Sequence, residues 1–150
     1  MEKVITTLVE LEEEASLFVH ALVPNSQGAT LVTLSGELGA GKTAFTKAMA
    51  HVLDIEETIT SPTFVLEKIY QLPRKVGQRM SDFTRLIHID AYRLGSGKDL
   101  TPLGFHDLMQ DSGNLIVLEW PERVETVLPE LAIKITLIAR EDGSRTLTYG

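Results

Sequence analysis

The chain contains no cysteine, which excludes disulfide staples, thiolate metal sites and a cysteine nucleophile. It also lacks any apolar run approaching the roughly 18 residues a membrane-spanning helix requires. Its first residues, Met1-Glu2-Lys3-Val4-Ile5-Thr6, have neither the basic start nor the apolar core of a secretory signal. These absences predict a cytoplasmic protein with no membrane association. Positive charge is scarce too: 14 Lys and Arg stand against 21 Asp and Glu, a net charge of −7. That balance argues against an extended surface for DNA or RNA, because phosphate neutralisation supplies most non-specific affinity. No repeat, linker or low-complexity block divides the 150 residues. We therefore expect one domain over 1–150, large enough to bury roughly 70% of its unfolded surface.

What the chain does have is Gly36-Glu37-Leu38-Gly39-Ala40-Gly41-Lys42-Thr43, which fills every position of the phosphate-cradling pattern GxxxxGK[ST]. The residues before it, Thr30-Leu31-Val32-Thr33-Leu34, are β-branched and apolar and read as a buried strand. Those after it, Thr43 to Leu53, place Phe45, Ala48, Met49 and Val52 at helical spacing without Gly or Pro, so a helix is predicted from about Lys42. Strand, turn and helix are the context in which such a loop binds a nucleoside triphosphate. Backbone N–H groups converge on phosphate oxygens where glycines let the chain curl, and the helix N-terminus adds attraction for anions. Lys42 then reaches the β- and γ-phosphates, and the Thr43 hydroxyl is placed to ligate Mg²⁺.

Periodicity gives the remaining organisation. Lys3 to Thr7 reads as an edge strand, and Glu10 to Val23 as an amphipathic helix with Leu11, Ala15, Phe18, Val19 and Leu22 on one face. Val65 to Leu72 and Arg85 to Asp90 are extended runs close enough to form a hairpin. Leu100 to Gln110 reads as a short helix after a Gly95-Ser96-Gly97-Lys98 turn. Leu115-Ile116-Val117-Leu118 is a buried strand of parallel type, and Leu131 to Ala139 with Arg145 to Tyr149 form a terminal antiparallel hairpin. The pattern predicts an α/β, P-loop NTPase-like three-layer fold, its central sheet mostly parallel and flanked by antiparallel strands.

Phosphoryl chemistry needs a carboxylate near the magnesium ion. Two strands end in one: Leu86-Ile87-His88-Ile89-Asp90 and Leu115-Ile116-Val117-Leu118-Glu119. Both acids belong beside the crevice in which α/β sheets bind ligands, and the pattern alone does not rank them. His88 shares a strand face with Asp90 and reads as a structural histidine before a proton carrier. Arg74, Lys75, Arg79 and Arg85 fall within residues 71 to 85 against the single acid Asp82. This basic connection reads as a solvated hairpin tip, with contact to RNA or an acidic partner as the alternative.

Taken together, the loop at 36 to 43, Ser61-Pro62-Thr63-Phe64, His88-Ile89-Asp90-Ala91-Tyr92-Arg93-Leu94 and Leu118-Glu119-Trp120-Pro121-Glu122 resemble the bacterial TsaE family over nearly the whole chain. The resemblance implies an ATPase needed for forming threonylcarbamoyladenosine in tRNA. It implies that Glu37, Leu38, Gly39, Ala40, Gly41, Lys42 and Thr43 hold ATP or ADP, that Thr43 and Glu119 hold Mg²⁺, and that Asp90 acts in hydrolysis beside Lys42. Ser61 and Thr63 correspond to a mobile loop beside the γ-phosphate, and Glu10 and Glu122 are further candidates around the nucleotide. The implied partners are a TsaD-like carbamoyltransferase subunit and a TsaB-like paralogue, with tRNA met only through that complex. The basic connection between Tyr70 and Leu86 is longer than the resemblance leads one to expect.

Rival readings fare less well. A GTPase would need Asn-Lys-x-Asp and Asp-x-x-Gly strings, and neither occurs. A small-metabolite kinase would use 71 to 85 as its lid, and a nucleotide sensor would bind without hydrolysis. No obvious in-chain arginine finger is present, Arg93 being the nearest candidate, so hydrolysis alone is expected to be slow. Trp120 is the only tryptophan and adjoins Glu119. Mg-ADP is expected to shift its fluorescence, and Lys42→Ala to abolish the shift at the same nucleotide concentration.

Overall fold

The computed structural model describes residues 1–60, 66–76, 79–80 and 82–149. Seven strands form one sheet in the order β1-β9-β8-β2-β7-β6-β3. They are β1 (Glu2–Ile5), β2 (Thr30–Ser35), β3 (Glu67–Gln71), β6 (Arg85–Asp90), β7 (Asn114–Glu119), β8 (Ile133–Ala139) and β9 (Arg145–Tyr149), while β4 (Lys75–Val76) pairs only with β5 (Arg79–Met80). The centre, β8-β2-β7-β6, is parallel throughout. Antiparallel strands close both sides, β9 and β1 beside β8 and β3 beside β6. The predicted architecture is therefore the observed one, down to the edge position of β1 and the β8–β9 hairpin.

Alternation along the strands divides the core. Val32, Leu34, Leu86, Leu115, Val117, Ile135 and Leu137 pack with Ile5, Leu11, Phe18, Phe45 and Met49, beneath helices α1 (Leu8–Ala21) and α2 (Lys42–Val52). The intervening residues Leu31, Ile87, Ile89, Ile116 and Leu118 pack with Leu100, Phe105 and Val124. That second layer is thin, built from a 3₁₀ helix Gly97–Leu103, the four-residue α3 (Phe105–Leu108) and two further 3₁₀ turns, Pro121–Arg123 and Glu125–Val127. It leaves the outer side of the β8-β9-β1 region open, where Val4 and Ile138 are exposed. An antiparallel flank tolerates water on one face.

Local chemistry moved several boundaries. Helix α1 starts at Leu8, two residues earlier than its apolar stripe, because the Thr7 side chain caps it by accepting from the Glu10 N–H at 3.1 Å. β1 accordingly stops at Ile5. The expected helix Leu100 to Gln110 is instead two short pieces. Gly104, at φ 74°, ends the first, and Pro102 within it withholds an amide. The turn Gly95 to Lys98 is the cap of that piece: Asp99 Oδ2 accepts from the Gly95 and Ser96 amides at 2.8 and 3.2 Å. Val65, the expected start of β3, lies outside the described residues. β8 begins at Ile133, after a turn in which the Ala132 N–H donates to Pro129 O at 3.3 Å.

Arg85, counted above with the basic connection, donates to Asn114 Oδ1 at 2.9 Å and pairs with Asp111 at 3.5 Å. It ties β6 to the entry of β7. Among the described residues no helix is long and apolar enough to cross a membrane. Phe45 is fully buried on α2 with its ring 6.0 Å from that of Phe18. Phe45→Ala should cost roughly 3–5 kcal/mol of stability, read as a lower urea midpoint at unchanged slope.

Candidate functional site

The loop that joins β2 to α2 is held by its own carbonyls. Lys42 Nζ donates to Gly36 O, and to Glu37 O at 2.9 Å. From the far hairpin, Arg145 Nε donates to Ala40 O at 2.7 Å and its guanidinium reaches Gly39 O at 3.3 Å. Across a trans peptide the C=O and the next N–H point in opposite directions. Fixing the carbonyls of 36, 37 and 40 toward cations therefore turns the amides of Glu37, Leu38 and Gly41 the other way, a nest for an anion. Gly36 is required by space, since a Cβ there would stand 2.4 Å from Leu137 O. Gly41 caps α2 at φ 108°, a conformation costly to any side chain.

Parallel register brings the acids to the loop. Leu34 on β2, Glu119 on β7 and Asp90 on β6 are neighbours across the three strands, so both predicted carboxylates project from strand ends toward the start of α2. Thr43 Oγ1 stands 3.3 Å from each oxygen of the Glu119 carboxylate. Asp90 Oδ1 accepts from the Tyr92 N–H at 2.9 Å, which fixes the turn that leaves the sheet. Both acids are buried, as is Lys42. Burial draws the Lys42 ammonium below the usual lysine range, opposed by Glu119, Glu122, Asp90 and Glu37.

Over this floor lies a cleft of about 280 Å³ lined by Leu38, Gly39, Gly41 to Ala44, Asp90, Tyr92, Glu119 and Trp120. A larger cavity, about 500 Å³ around Leu100, Phe105 and Val127, sits in the thin layer. Its lining holds Thr101 and Asp107 but no lysine, and so lacks the full set of lysine, hydroxyl and paired carboxylates that marks the smaller cleft as the site. Trp120 is held left-handed at φ 61°, a backbone cost of about 1–2 kcal/mol for an L-residue. Its ring lies 4.2 Å from Lys42 Nζ and packs on Tyr92 at 5.0 Å, and the Arg123 guanidinium covers Tyr92 in turn.

The structure thus gathers Leu38, Gly39, Gly41, Lys42, Thr43, Asp90 and Glu119, with Ala40 buried beneath the loop and Glu37 exposed at its start. It does not bring in Glu10, whose carboxylate accepts from the Thr6 N–H at 2.7 Å and is held below its usual range by that contact. Glu122 lines a neighbouring cleft with Ser35 and Lys134. Arg93 is exposed and absent from the cleft lining. Ser61 and Thr63 lie outside the described residues.

Two contacts around the cleft were not read from the sequence: that of Arg145 with the loop and that of His88 with Glu119. Arg145 is 105 residues from its partner Ala40, and no local pattern marks it. His88 is completely buried with Nε2 on Glu119 Oε2. Its alternation with Asp90 was a usable signal, since it placed both on the face that α2 covers.

The donor set suits Mg²⁺. One hydroxyl and one carboxylate are hard oxygen donors, and magnesium keeps several waters and takes phosphate oxygens instead of an all-protein cage.

Comparison with known proteins agrees in sequence and in fold. The family model described as "Threonylcarbamoyl adenosine biosynthesis protein TsaE" matches residues 9–147. The tRNA threonylcarbamoyladenosine biosynthesis protein TsaE of Treponema pallidum is 40% identical over 119 residues, covering 79% of this chain and 80% of that one. Its Rickettsia bellii counterpart is 34% identical over 140 residues, covering 93% and 90%. The crystal structure of Bacillus subtilis YdiB superposes with a TM-score of 0.75 at 26% identity, covering 99% of this chain and 83% of that one.

Removing the far anchor tests the loop geometry. Arg145→Ala should weaken ADP binding about tenfold, the equivalent of about 1.4 kcal/mol, measured by calorimetry. Arg145→Lys, which keeps charge but not the two-pronged donation, should fall between.

Proposed function

This chain belongs to the TsaE family, proteins of tRNA threonylcarbamoyladenosine biosynthesis, and from that membership and the cleft we propose that it is a magnesium-dependent ATPase. The observation that carries the proposal is the meeting of Lys42, Thr43, Asp90 and Glu119 in one cleft at the N-terminus of α2. The loop amides of 37 to 43 and the dipole of α2 receive the phosphates. Lys42 has three donors, two of them spent on Gly36 O and Glu37 O, and the third is left for a phosphate oxygen. Thr43 and Glu119 hold Mg²⁺, which when bound offsets charge on the β- and γ-oxygens. Asp90, anchored by the Tyr92 amide at the adjoining strand end, acts in hydrolysis. Ser61 and Thr63 remain the proposed contacts near the γ-phosphate.

Such a site hydrolyses slowly alone. The Arg145 guanidinium is committed to the carbonyls of Gly39 and Ala40, and Arg93 does not line the cleft. Among the described residues no arginine lines the cleft to meet the charge that develops on the transferred group, the contact that speeds phosphoryl transfer roughly 10³–10⁵-fold in related chemistry. We infer that a TsaD-like and TsaB-like complex accelerates the reaction and that ATP turnover resets that complex, tRNA being met only there.

Magnesium-dependent phosphate release, followed with and without the partner subunits, tests this directly. Addition of partners should raise turnover by an order of magnitude or more, and equal turnover in both arms would remove the partner role. Asp90→Asn should bind ADP normally and lose roughly 10²-fold or more in kcat, whereas Lys42→Ala should lose nucleotide binding itself. Phosphate appearing on a small alcohol instead of in solution would replace hydrolysis with a kinase activity.

A further inference from the structure

We propose that His88 is a positioning residue for Glu119, fixing the carboxylate in the orientation that receives magnesium; this rests on the role given to Glu119 above. Strand β6 turns Leu86, His88 and Asp90 toward α2, beside Val117 and Val32 in parallel register. In that row His88 stands between Lys68 on β3 and Val117 on β7, and nothing of it reaches solvent. Burying a polar ring there costs free energy that a leucine would not, so a reason for it must lie in what it touches.

Among the described residues it has one polar partner: Nε2 meets Glu119 Oε2, while buried Nδ1 has no hydrogen-bond partner there. A proton on Nδ1 would be an unsatisfied buried donor, so the ring's N–H is the one on Nε2 and it donates to Glu119. The other contact to that carboxylate is weaker. Thr43 Oγ1 stands 3.3 Å from both oxygens, beyond the usual O–H···O range, which ends near 3.0 Å. The hydrogen bond that selects the Glu119 rotamer is therefore the one from His88. Coming from a neutral donor, it fixes direction without cancelling the charge that a cation needs. His88 does not line the cleft; it acts from beneath, through Glu119, as hydrogen-bond partners of ligating carboxylates do in metal sites.

The test separates orientation from packing. ADP is titrated into wild type and variants by calorimetry, with Mg²⁺ and without it, and Mn²⁺ binding to the ADP complex is read by electron paramagnetic resonance. In His88→Leu the tightening by Mg²⁺, and the Mn²⁺ affinity, should fall roughly 10–100-fold, while metal-free ADP binds as in wild type. His88→Gln places an amide donor where Nε2 stood and should restore most of the metal response. His88→Asn, too short to reach, should not. A full metal response in His88→Leu, a parallel loss of metal-free ADP binding, or equal behaviour of the Gln and Asn variants would each overturn the proposal. Should His88→Leu fail to fold, the Gln and Asn pair decides alone. Glu119→Gln is the control: if it keeps the metal response, the role given to Glu119 fails, and if only Glu119→Gln loses it, the role of His88 fails by itself.

Discussion

The inward-facing carbonyls of a six-residue turn are the constraint on which the site depends. A phosphate loop works only if its amides converge on the ligand, and amides are free to do so only when something else holds the carbonyls. Here two cations do so. Lys42 reaches back from the first turn of α2 to Gly36 and Glu37, and Arg145 reaches across from β9 to Gly39 and Ala40. The crowding of Gly36 against Leu137 O closes the remaining freedom. Sheet, helix and terminal hairpin are all needed to make one anion nest.

The same economy governs the acids. Parallel register sets Glu119 and Asp90 side by side at strand ends, and the sheet beneath them is largely apolar, with His88 buried in it. A carboxylate buried in such surroundings must be given a donor, and the sequence supplies one from the adjacent strand, two residues before Asp90. Trp120 completes the arrangement from above. Its left-handed backbone lets the chain leave β7 abruptly and lay an indole against Lys42, where the ring limits how far the ammonium can stray.

Much of this was legible in residue order because it was local. Loop, preceding strand and following helix announce themselves within about twenty consecutive residues, and an acid ending an apolar run identifies Asp90 and Glu119 without any knowledge of the sheet. What failed to show depended on contacts far apart in sequence or on competing local chemistry. Arg145 opens an ordinary alternating strand, and only the closure of β9 against β8 brings it under the loop. The segment after Leu100 has helical apolar spacing, yet Pro102 and Gly104 overrode the period. His88 looked structural because a histidine on an apolar face usually is; the diagonal neighbour that gives it a task sits on another strand.

Among the described residues strand β1 pairs with β9 alone, so residues 2–5 have no sheet partner until residues 145–149 have taken their place. Arg145 lies in that same late strand. Until that strand pairs, the loop at 36 to 43 lacks its second anchor, and one closing of the sheet's edge completes both. Folding of so non-local a topology is slow by nature, which makes the shape of this loop one of the later features to be fixed.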